Sequence, residues 1–122
     1  MTQYNVHFQD GKVLVLQAKS FDFELKVDPK RRIVFIFKDE KDQPLPVFLQ
    51  HSKVSAVVPS RDEKGPFLTV HLASGSKLSI KAVSFSKDTS DFFRFLTDKG
   101  ETVMDVFVRT EDALMISPPA KG

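Results

Sequence analysis

Between Pro66 and Ala82 the chain alternates apolar and polar residues twice, on either side of Ala73-Ser-Gly-Ser76. Leu68, Val70 and Leu72 fall on one face with Thr69 and His71 on the other. After the turn, Leu78, Ile80 and Ala82 oppose Lys77, Ser79 and Lys81. A period of two over both runs suits a strand and not a helix. With a glycine-containing turn between them, the two runs make a β-hairpin with one wet and one buried face. Antiparallel sheet is therefore the frame into which the rest of the sequence has to fit.

Other segments repeat the pattern. Tyr4, Val6 and Phe8 alternate with Asn5 and His7, and the Asp10-Gly11 pair that follows predicts a hairpin turn with positive φ at both residues, returning through Val13 to Leu16. Phe21, Phe23, Leu25 and Val27 oppose Asp22, Glu24 and Lys26, which predicts a core stripe of four. Ile33 to Phe37 is apolar on both faces, as an interior strand covered from both sides would be. Pro44 and Pro46 permit only an edge or a strand start near Val47-Phe-Leu49, and Val54 to Val58 resume the strand pattern. The segment from Ser60 to Pro66 is a long polar connection. The stretch Val47-Phe-Leu to Pro59 matches Val106-Phe-Val to Pro118 at both ends. Three identities in thirteen positions are no more than chance gives two β segments, but the match predicts strands over 102–108 and 113–117.

After Phe85 the period changes. Asp88, Thr89 and Ser90 are competent N-caps, and Lys99 followed by Gly100 gives a cation and a stop, so one short helix is predicted over residues 90–99. Phe92, Phe95 and Leu96 would share its buried side, with Phe93 turned away by about 100°, so Phe93 is the aromatic least explained by burial. The expected fold is mainly β (α+β): a single domain over 1–117, an antiparallel sheet or partly open barrel with one short helix, and a flexible tail at 118–122. Several strands, a long polar loop, a final hairpin and a short capped helix in that order resemble the general plan of pleckstrin-homology-type domains. The likeness lies in topology alone and implies no functional residues.

Composition narrows the function classes. Twelve phenylalanines and no tryptophan make Phe the aromatic core, and the absence of cysteine excludes disulfides and thiolate metal sites, as expected of a cytoplasmic protein. No apolar run approaches the ~18 residues that span a bilayer, so no membrane role is expected. Eighteen basic against sixteen acidic residues predict no strong attraction to polyanions. His7, His51 and His71 lie too far apart for a ligand motif, the carboxylates cluster in turns, and no serine sits in a nucleophile elbow. No catalytic residue, metal or cofactor is expected, and the chain reads as a non-enzyme.

Two recognition surfaces remain. Lys26, Lys30, Arg31 and Arg32 form a basic turn between Phe-rich strands, a pairing that single-strand nucleic-acid binders use. The leading expectation is a small interaction module that binds a protein partner, or a second copy as a dimer. It would use an exposed strand edge or the 60–66 loop, with Arg61, Asp62, Glu63, Lys64 and Phe93 as candidate contacts.

Overall fold

The computed structural model describes residues 1–27, 29–60, 64–87 and 91–118. These form eleven strands: β1 (Thr2–Phe8), β2 (Val13–Ala18), β3 (Ser20–Lys26), β4 (Arg32–Lys38), β5 (Val54–Ser60), β6 (Leu68–Leu72), β7 (Lys77–Ile80), β8 (Ser84–Ser86), β9 (Arg94–Leu96), β10 (Phe107–Val108) and β11 (Ala113–Ser117). Short 3₁₀ turns at His51–Lys53 and Thr110–Asp112 lead into β5 and β11. All pairing is antiparallel, in the orders β10-β5-β1-β2, β11-β6-β7, β3-β4 and β8-β9, and no barrel closes. The mainly β expectation is met. Among the described residues no helix is long and apolar enough to cross a membrane.

The second half of the chain repeats the first. Val6 to Phe21 aligned on Val70 to Phe85 gives seven identities: Val6/Val70, His7/His71, Gly11/Gly75, Leu14/Leu78, Ala18/Ala82, Ser20/Ser84 and Phe21/Phe85. The ladders agree residue for residue. Phe8, His7, Val6 and Asn5 pair with Val54, Ala56, Val57 and Val58, and their counterparts Leu72, His71, Val70 and Thr69 pair with Ala113, Met115, Ile116 and Ser117. Each ladder skips one residue at the same place, after Val54 and after Ala113. The match between 47–59 and 106–118 is thus part of a structural repeat: β1 to β5 form one unit, and β6 to β11 a second in which β10 stands where the first has residues 47–49.

Four turns share one geometry. Phe8 N–H donates to Lys12 O (2.9 Å) and Gly11 N–H to Phe8 O (3.0 Å), and the same two bonds close Leu72–Ser76, Thr97–Glu101 and Asp39–Gln43. The fourth residue of each is left-handed: Gly11 (φ 93), Gly75 (φ 98), Gly100 (φ 79) and Asp42 (φ 59). This is a type I turn followed by a bulge residue, which demands positive φ once and not twice. Asp10 accordingly keeps negative φ, against the expectation for an Asp-Gly pair.

The predicted helix over 90–99 is absent. Asp88, Thr89 and Ser90 lie outside the described residues, but Arg94–Leu96 is strand, paired with β8. Gly100 closes a hairpin there instead of a helix. A left-handed glycine serves both ends equally well, and Phe93 and Phe95 obey a period of two as readily as Phe92 and Phe95 obey one near 3.6. The element that carried the pleckstrin-homology likeness goes with it.

Two other expectations are corrected. β4 pairs with β3 alone among the strands, so it is not an interior strand: its other edge is met at one end by the Lys38–Pro44 bridge and the bond from Leu45 N–H to Phe37 O (2.8 Å), and Val34 and Ile36 on its second face are half-buried. The stripe Phe21, Phe23, Leu25 loses its fourth member, because Val27 lies beyond β3 and is exposed.

Two apolar clusters hold the molecule, and neither belongs to one unit. The first unit's core joins Tyr4, Val6, Phe21, Ile33, Phe37 and Val57 to Phe107 of the second unit. The other core gathers Leu68, Val70, Leu72, Leu78, Ile80 and Phe95 with Ala56 and Val58 of β5. β10 is the hinge of this exchange: Phe107 turns into the first core while Val106 and Val108 turn into the second.

Candidate protein interface

β5 is an edge strand of its own unit that has accepted a strand from the other. Phe107 pairs with Val57 and Val108 with Ala56, extending the sheet. Phe107 is held edge-on between Phe23 and Phe35, each with its ring centre 5.1 Å away, and faces Phe92 at 6.3 Å. Arg109 straps the arrival. Its Nε donates to Val54 O (2.9 Å), a second guanidinium nitrogen donates to His51 O, and the guanidinium sits 5.5 Å from the Phe107 ring centre. Asp112 lies 3.8 Å from Nε and accepts the Ser55 hydroxyl at 3.0 Å. A planar fork satisfies two carbonyls and caps a ring at once, which a point charge on a flexible stem does not. Nothing in the sequence singled out Arg109, because its counterpart in the first unit is Gln50.

Among the described residues no strand pairs with the matching edge of the second unit. β11 ends the sheet β11-β6-β7, and Leu114 and Met115 on it are exposed. The segment that matches β10, Val47-Phe-Leu49, is not a strand, and Phe48 is 87% exposed where Phe107 is 0%. Alternation identified both segments as apolar but not which of them would be covered. The alignment of 6–21 on 70–85 was the signal of the repeat, though not of which segment is covered.

The residues singled out from sequence are spread over the surface. Arg61, Asp62 and Glu63 lie outside the described residues, and Lys64 is exposed just beyond them. Phe93 is half-buried against the second core, edge-on to Phe85 at 5.8 Å, and its N–H donates to Val108 O (3.1 Å). In the basic turn, Lys26 faces Glu24 at 3.2 Å and Arg31 faces Asp91 at 2.5 Å. Lys30 and Arg32 are exposed beside them. Phe21 is buried, and Phe23 and Phe35 turn toward Phe107. Among the described residues no group of three His, Asp or Glu is placed to hold a metal ion.

A groove of about 940 Å³ runs between the units, with His7, Asn5 and Asp105 in its wall beside Lys77 and Lys81. His71 Nε2 shares a hydrogen bond with the Ser117 hydroxyl (3.3 Å), and the first-unit residue at the position matching Ser117 is Val58, which pairs with Asn5. Among the described residues the buried Nδ1 of His7 has no hydrogen-bond partner, and burial of the ring lowers its pKa below the usual 6.5. A histidine whose folded pKa is depressed binds its proton more readily unfolded, so its contribution is complete above about pH 6.5 and declines as pH falls through that value. Thermal melts from pH 7.5 down to 5.5 should show a falling midpoint that His7→Gln flattens; parallel curves for the two proteins would contradict it.

No protein-family model, curated protein or solved structure matches the chain.

Proposed function

We propose that this chain is a non-enzymatic interaction module that binds protein by adding an extended segment to the free edge of β11. One observation carries this reading: the first unit already uses the same edge to take up β10, and among the described residues no strand takes it up in the second unit. Ala113–Ser117 contains no charge and no proline, the two devices with which natural edges commonly repel another strand. Backbone bonding along the edge would supply affinity, and pockets for alternate side chains would supply selectivity. The cysteine-free sequence supports a place in the reducing cytoplasm.

Selection from a displayed library of extended random octapeptides tests the reading. Enriched peptides should slow amide exchange across 113–117, and Leu114→Lys with Met115→Lys should weaken them about tenfold or more, a loss of ~1.4 kcal/mol. Peptides that bind the double variant as well as the parent would place recognition elsewhere, with the 60–66 loop as the next surface to probe.

A further inference from the structure

We infer that the occupant of the β11 edge is a second copy of this chain, which inserts its own Val47-Phe-Leu49 there, so that copies join head to tail. The inference rests on the edge-binding reading above and names its partner.

The two units present the same parts, and several apolar residues buried where they meet inside one chain have exposed counterparts at the two far ends. Phe107, 0% exposed, corresponds to Phe48 at 87%; Ala56, at 0%, to Met115 at 53%; Leu78, at 3%, to Leu14 at 44%. Val106 is buried and its counterpart Val47 is exposed. Chance scatter of surface hydrophobics has no reason to follow this correspondence.

The pattern also fixes the kind of contact. Within the chain, the first unit offers its β5 edge and the back of that strand, and the second offers β10 and the apolar face of β6 and β7. If the units were related by a two-fold axis, the reciprocal contact would form at the same time and bury Phe48 and Met115. Both are exposed, so the relation is directional. A directional contact repeated between copies makes a ring when its rotation closes and a filament when it does not. The next copy would lay 47–49 along β11, turn Phe48 toward Phe85 and Phe93, and cover its own Leu14 with the back of β11.

Light scattering on the full chain reads the outcome. The parent should exceed the 13.8 kDa of one chain as concentration rises. Phe48→Asp removes the inserted segment and Met115→Lys blocks the edge, and each alone should remain at one chain with an unchanged circular dichroism spectrum, since both positions are exposed. Mixed together, the two variants retain one good contact between them and should form a 1:1 pair of two chains and nothing larger. A parent that stays at one chain up to roughly 1 mM, where contacts of about 4 kcal/mol are visible, overturns the inference, as does a mixture that fails to pair. If peptides still select the β11 edge in that case, edge binding survives with a different partner; if they do not, both fall.

Discussion

Replacing Phe107 with alanine is expected to remove about 3–5 kcal/mol of folding stability, whereas Phe48→Ala, measured on dilute protein, should stay within about 0.5 kcal/mol. The two residues occupy matching positions in matching Val-Phe pairs, so propensity and composition give no reason for the difference. Placement gives it. Phe107 is fully enclosed, with Phe23 and Phe35 against it, and it belongs to the cluster that contains Tyr4, Val6 and Val57. Its removal leaves a cavity bounded by rings on a two-stranded ribbon, and strand pairing limits how far that ribbon can collapse. It also frees the anchor of β10, whose two neighbouring valines fill the other core. Urea unfolding followed by circular dichroism measures both variants. Equal losses would mean that Phe48 is as enclosed as Phe107, contrary to the placement described here. Domains of this size commonly hold only 5–15 kcal/mol in total, so Phe107→Ala approaches the limit of what remains folded at 37 °C.

Arg109→Ala should cost about 3–5 kcal/mol, the range for breaking a buried charge pair by removing one partner. The guanidinium bonds two carbonyls from the segment that enters β5, and it lies between the Phe107 ring and Asp112. Alanine would leave those carbonyls without their donor and a largely enclosed carboxylate without the positive charge beside it. Arg109→Lys keeps the charge and loses the fork, so it should recover only a minor part. Arg109→Met combined with Asp112→Asn removes both charges and should fall well short of the single loss, because the penalty lies in the orphaned partner more than in the pair. Denaturation of the four proteins in parallel checks the ordering. Should alanine and lysine prove as stable as arginine, the strap has no mechanical role.

Much of the framework could be read from the residues. β1, β3 and the β6–β7 hairpin alternate cleanly, and Leu68, Val70, Leu72, Leu78, Ile80 and Ala82 are buried as alternation requires. What failed did so where one local signal serves two structures. Gly100 marks the left-handed residue of a turn, and a helix end needs that same residue. Ile33 to Phe37 is apolar on both sides yet ends a two-stranded ribbon, its free edge met at 44–45, an arrangement that no window of adjacent residues contains. The candidate interface was less legible still. Exposed edges follow from topology, and topology here depends on β10 leaving its own unit for the other, which the pair Val106-Phe107 does no more to announce than Val47-Phe48. Arg109 escaped notice for a similar reason: its partners, Val54 and His51, lie more than fifty positions earlier in the chain.

The placement of Phe107 also bears on the order in which the molecule is made. β1 to β5 leave the ribosome before β10, yet the ring that fills their interior belongs to β10. The earlier unit is therefore completed only once part of the later one has emerged. Until then it presents an open acceptor strand and an empty aromatic socket, which a Val-Phe segment from any neighbouring nascent copy resembles closely enough to enter.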